Sequence, residues 1–83
     1  MTRDEIRTTV LRALGEIAPE ADLARVDPDV KLREQFDLDS MDMLNFATAL
    51  HEALGIDVPE ADYAQMATLA GAVDYLTQRM GSG

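Results

Sequence analysis

Ser40 stands between two carboxylates, Asp39 and Asp42, in the stretch Phe36-Asp37-Leu38-Asp39-Ser40-Met41-Asp42. A hydroxyl flanked by acids invites three chemistries: nucleophilic catalysis, acid–base work by the carboxylates, and cation binding. A nucleophilic serine needs a base beside it. No lysine or cysteine adjoins Ser40, and His51 is the one histidine of the chain. The helical rise between positions 40 and 51 separates them by ~16 Å, far beyond a hydrogen bond, so His51 reads as a solvent-facing helix residue. Paired catalytic carboxylates need differing, partly buried environments, whereas these acids fall at an exposed helix start. A calcium loop opening at Asp37 would need glycine where Asp42 stands and glutamate where Thr48 stands. No catalytic residue and no metal site is therefore expected. What remains is a serine that another enzyme modifies. Asp39 can cap the helix, which leaves the Ser40 hydroxyl free, and a helix N-terminus favours a phosphoester at that place.

The elements that must hold this stretch are helices. Thr2-Arg3-Asp4-Glu5 has the form of a capping box. Ile6, Val10, Ala13, Leu14 and Ile17 follow on one helical face, which predicts a helix over 3–17. Pro19 cannot continue it. Residues 18–38 show no sustained period and form a long connection, a length that is often functional. Its apolar residues Leu23, Val26, Val30, Leu32, Phe36 and Leu38 should pin it across the helices, with a helical turn over 30–35. A second main helix is predicted over 40–54. Met43, Phe46, Ala47, Leu50 and Leu54 form its core face, and Gly55 is its left-handed stop. Met41, Leu44 and Thr48 make a shorter stripe pointing elsewhere. Ile56 to Pro59 is extended by the proline. A short helix over 60–66 follows, anchored by Tyr63 and Met66. Thr68 then caps a last helix over 69–79 with Leu69, Ala72, Val73 and Leu76 buried. Gly71 inside that helix costs about 1 kcal/mol relative to alanine. The expected fold is all-α: an antiparallel bundle of three main helices plus one short helix, in one domain over 1–80, with 81–83 as a flexible tail.

Composition narrows the function further. The chain has 83 residues, 16 Asp and Glu against 7 Lys and Arg, and a formal net charge of -9. Such a surface repels phosphate backbones and disfavours nucleic acid. It attracts basic protein patches instead. The 47% hydrophobic content is too high for a disordered acidic tail. Cysteine is absent, so disulfides and thiolate metal sites are excluded and a cytoplasmic setting fits. No uncharged stretch is long enough to span a bilayer, and Asp4 and Glu5 break any signal-peptide pattern at the N-terminus.

Asp39-Ser40-Met41-Asp42 precedes an amphipathic helix, then Gly55-Ile56-Asp57-Val58-Pro59, then a Thr68-capped final helix. In this order, and with the long first connection, the chain resembles the acyl carrier protein family along nearly its whole length. The resemblance implies a monomeric, non-catalytic carrier. A phosphopantetheinyl transferase would attach 4'-phosphopantetheine to Ser40, and the arm would carry acyl groups as thioesters between enzymes of fatty acid, polyketide or related acyl metabolism. It also implies a partner surface of Asp39, Met41, Asp42, Leu44, Thr48, Glu52 and Glu60, facing basic patches on acyl-activating and acyl-transferring enzymes. Met43, Phe46, Leu50, Leu54, Met66 and Val73 would line the core where a short acyl chain enters, and methionines adapt well to a variable guest.

Departures from the family pattern stand beside the match. The family usually has glycine where this chain has Asp37. Asn45, His51 and Ala53 replace acids of housekeeping carriers, which suggests a specialised stand-alone carrier. Two alternatives remain at this level. One is a peptidyl or D-alanyl carrier, although D-alanyl carriers usually have glycine where Asp42 stands. The other is an acidic helical interaction module with no prosthetic group.

Overall fold

The computed structural model describes residues 1–80; the expected tail over 81–83 lies outside the described residues. Three long helices form the bundle: α1 (Arg3–Ile17), α3 (Ser40–Leu54) and α4 (Leu69–Arg79), with a short α2 (Leu32–Phe36) between the first two. The all-helical bundle and the bounds of its three main helices match the expectation from periodicity.

Each main helix starts on a side-chain cap. Thr2 accepts from the Glu5 amide at 3.1 Å and Glu5 accepts from the Thr2 amide at 2.8 Å, which completes the capping box. Thr68 accepts from the Gly71 amide at 3.0 Å. Gly55 ends α3 in the left-handed region at φ 70°, and its amide donates to the His51 carbonyl at 2.8 Å.

α1 packs against both α3 and α4. Ile6, Val10 and Leu14 of α1 meet Phe46 and Leu50 of α3 and Leu69, Val73 and Leu76 of α4 in one apolar core. Burying each of these larger side chains contributes roughly 1.5–3 kcal/mol before entropy is counted. No charged or polar residue is buried among the described residues, so the core between the helices is held by hydrophobic packing.

The long connection is more ordered than its sequence suggests. A 3-10 turn, Leu23–Arg25, is capped by Asp22. Val26, Leu32 and Leu38 are buried anchors, while Leu23 and Phe36 pack partly against the core. Val30 departs from the expectation: it is 39% exposed. Its carbonyl accepts from Gln35 Nε2 at 2.7 Å, and the same side chain binds the Asp27 carbonyl and amide at 2.8 and 2.9 Å. One glutamine thus closes residues 27–30 through the backbone, and the turn has no need of the valine side chain. Two further backbone bonds fasten the connection to the far end of the chain. The Leu32 amide donates to the Ala67 carbonyl at 2.8 Å, and the Ala70 amide donates to the Pro28 carbonyl at 3.0 Å. The helical turn expected over 30–35 accordingly settles at Leu32–Phe36.

Residues Glu60–Met66 form a 3-10 helix packed on α4. Tyr75, buried on α4, donates a hydrogen bond of 2.6 Å to the Asp62 carboxylate and clasps that segment. Gly71 explains itself here. A β-carbon at this position would lie 2.6 Å from the Gln65 carbonyl oxygen. The helix gives up alanine's propensity so that the 60–66 segment can lie against it.

Candidate functional site

α3 begins at Ser40, and Asp39 is its N-cap. The Asp39 carboxylate accepts from the Asp42 amide at 2.8 Å, and the Asp42 carboxylate accepts from the Asp39 amide at 3.1 Å. Both acids flanking the serine are therefore spent on the cap. Asp42 does more than its charge suggested, since it completes a capping box. Ser40 itself is exposed, and no hydrogen bond to its hydroxyl occurs among the described residues. His51 is exposed eleven positions along the same helix, and its Nδ1 lies 3.2 Å from the Ile56 carbonyl. It closes the other end of α3 and cannot serve the serine.

The approach to Ser40 is bent at Asp37. This residue is the non-glycine position with positive φ among those described, at φ 55°, ψ 45°, directly after α2. L-residues reach this region at a cost, glycine freely, and aspartate more readily than most. The departure at Asp37 noted in the sequence thus falls where the backbone turns left-handed.

Two grooves flank the first turn of α3. One, of about 690 Å³, is lined by Ser40, Met41, Met43 and Leu44 from α3, Lys31 and Arg33 from the connection, and Glu60, Tyr63, Ala64 and Ala67 from the 60–67 segment. The other, of about 410 Å³, lies toward α1 and is lined by Glu16, Ile17, Asp42, Asn45, Thr48, Ala49 and Glu52. The larger groove contains the two cations that sequence reading did not connect with the serine. Lys31 and Arg33 flank the buried Leu32, so anchoring Leu32 carries both of them to the groove rim. Arg33 Nε donates to the Leu38 carbonyl at 3.3 Å.

Of the residues expected on a partner surface, Met41 is 62% and Leu44 47% exposed. Asp39, Thr48, Glu52 and Glu60 are exposed as well, and Asp42 is half-buried. The Thr48 hydroxyl is turned back onto the Leu44 carbonyl at 3.0 Å. The residues expected around an acyl chain lie deeper. Met43 reaches the larger groove, Phe46, Leu50, Met66 and Val73 are closed in the core, and Leu54 is at its margin. Tyr63, expected simply as core, is half-buried and lines the groove.

The arrangement suits a phosphoester on Ser40. The hydroxyl is accessible and unbonded, it opens on a groove with two cations, and it sits at a helix start where amides and dipole favour negative charge. No group of His, Asp or Glu suited to a metal ion occurs among the described residues.

Comparison with known proteins agrees with this chemistry. The family model described as "Phosphopantetheine attachment site" matches residues 4–76. The acyl carrier protein of Rubrobacter xylanophilus is 29% identical over 75 residues, covering 87% of this chain and 93% of that protein. The acyl carrier protein of Acidothermus cellulolyticus is 28% identical over 78 residues, covering 92% of this chain and 89% of that protein.

Proposed function

The chain belongs to the phosphopantetheine-attachment-site family, and on that footing we propose that it is an acyl carrier protein whose 4'-phosphopantetheine is attached at Ser40. It is a carrier and not an enzyme. Membership of the family sets aside the interaction module without a prosthetic group. The observation that carries the assignment to Ser40 is its exposed, unbonded hydroxyl between two carboxylates that are both engaged in the cap.

The attachment needs no base from this chain. Ser40 Oγ forms a bond to the phosphorus of coenzyme A that bears the pantetheine. The phosphoanhydride bond breaks, adenosine 3',5'-bisphosphate leaves, and the hydroxyl proton passes to a base of the transferase. This chain presents the oxygen at a fixed helix end and lowers the cost of the new negative charge through the α3 amides. When bound, the group supplies a terminal thiol that holds acyl groups as thioesters.

Asp39, Met41, Asp42, Leu44, Thr48, Glu52 and Glu60 form the proposed docking surface. Support comes from an exposed apolar pair, Met41 and Leu44, set among acids on a chain of net charge -9. Apolar anchors inside a charged rim are how partners gain both affinity and encounter rate. An acyl chain entering past Met43 toward Phe46, Leu50, Leu54, Met66 and Val73 would have to part side chains that now touch. The cytoplasm is the proposed compartment, supported by the absence of cysteine.

The test is intact mass after incubation with coenzyme A, magnesium and a promiscuous phosphopantetheinyl transferase. The native chain should gain one phosphopantetheine and Ser40→Ala none. An unchanged native mass with several transferases would sink the assignment.

A further inference from the structure

The two grooves that meet the first turn of α3 carry opposite charge. The smaller one is bordered by Glu16, Asp42 and Glu52, three carboxylates and no cation. The larger one has Lys31 and Arg33 against the single carboxylate Glu60. On a chain with only 7 basic residues, two stand together beside the one serine that opens on this groove. Of the other five, Arg3 pairs with Asp74, Arg25 with Asp22 and Arg79 with the Asp57 carbonyl, while Arg7 and Arg12 lie on α1 and line neither groove. Neither Lys31 nor Arg33 makes an ion pair among the described residues.

We propose that Lys31 and Arg33 are an anion-binding rim that pairs with the phosphodiester on Ser40 and lays the attached arm into the larger groove, against Tyr63. The inference rests on the assignment of Ser40 as the attachment residue. Its physical basis is local. A phosphodiester on Ser40 is an anion fixed on the wall of the larger groove, while Asp42, two positions on, borders the smaller one. At low salt, where screening is weak, the cations lining its own groove attract it and the carboxylates bordering the smaller groove disfavour the other side. Arg33 is held by its bond to the Leu38 carbonyl, so part of the entropic cost of ordering it is met before the anion arrives. The Tyr63 ring and the Ala64 and Ala67 methyls give the groove an apolar floor beyond the rim.

The experiment uses the full-length chain in apo and holo forms, confirmed by mass, at low salt. Three versions are compared: native, the pair Lys31→Gln with Arg33→Gln, and the charge-keeping pair Lys31→Arg with Arg33→Lys. The readouts are the phosphodiester 31P resonance and nuclear Overhauser contacts between the arm and the Tyr63 ring. In the native holo chain the contacts should be present and should weaken in high salt. In the glutamine pair the 31P resonance should move and the contacts fall by about two- to five-fold, the range expected of exposed ion pairs. The charge-keeping pair should keep more of the contacts than the glutamine pair, falling short of native only by what the lost Arg33 Nε bond contributes. If circular dichroism shows the glutamine pair unfolded, Lys31→Gln alone is read the same way, because the Lys31 side chain holds no hydrogen bond among the described residues. A normal mass gain with the same 31P resonance and the same contacts in native and glutamine forms would overturn the rim and leave the Ser40 assignment standing. No mass gain in the native chain would overturn both.

Discussion

Asp39 and Asp42 cap each other. Each carboxylate accepts from the other's backbone amide, at 2.8 and 3.1 Å, and Ser40 is held between them. This reciprocity answers why a serine sits among acids with its own hydroxyl unbonded: the acids do the capping that serine would otherwise do. Asp39→Ala should cost ~1 kcal/mol of stability and Asp42→Ala about half as much, since N-caps contribute about that range. Each single removes one of the two bonds, and the double variant should lose less than the sum, because loss of either bond loosens the turn that holds the other. Urea denaturation of the apo chain measures all three. Strict additivity would mean that the two caps act independently.

Asp37 occupies the left-handed region at φ 55°. Asp37→Gly should stabilise the chain by roughly 0.5–1 kcal/mol, the relief of left-handed strain less the greater freedom of glycine when unfolded. The urea midpoint should rise with unchanged slope. Modification rates of the native and glycine forms with several transferases measure whether Asp37 also bears on recognition. Equal rates throughout would limit its role to the backbone.

Gly71 reverses the usual helix rule. Alanine in a helix interior normally gains about 1 kcal/mol over glycine. Here its β-carbon would lie 2.6 Å from the Gln65 carbonyl oxygen and 3.0 Å from Thr68 Oγ1. Gly71→Ala should therefore destabilise by about 1–3 kcal/mol, as overpacking does. Amide exchange should quicken first over 60–66. A more stable variant would show that the 60–66 segment gives way freely.

Tyr75 ties α4 to the same segment. Its hydrogen bond to Asp62 raises the phenol above the ordinary tyrosine value, with burial adding to the effect. A raised folded pKa means that the protonated form is the one the fold favours. The contribution is complete below about pH 10, the unfolded tyrosine value, and is lost as pH climbs through the folded value. Thermal stability of the native chain should then fall more steeply above about pH 10 than that of Tyr75→Phe. Ultraviolet titration of Tyr63→Phe, which leaves Tyr75 as the remaining tyrosine, should show ionisation later than in the unfolded chain.

Periodicity and caps carry information that one segment holds by itself. Ile6, Val10 and Leu14 mark a helix face whatever surrounds them, and Thr2, Asp39 and Thr68 satisfy amides within three residues of themselves. The bounds of α1, α3 and α4 are legible for that reason. Gln35 closing residues 27–30 was not legible. A glutamine side chain has no periodic signature, and its partners lie outside the helix that carries it. Val30, expected as an anchor, is exposed for the same reason.

Ser40, its two acids and the helix behind it are determined by the sequence alone, because all of them lie within a few residues along the chain. Which charges meet the serine is decided by the tertiary structure. Lys31 and Arg33 reach its groove only because Leu32 is buried between them and its amide bonds to the Ala67 carbonyl, thirty-five positions further on. Sequence spacing reports the faces of a single element. Which faces come together is settled by long-range packing and by backbone bonds between segments that have no period in common.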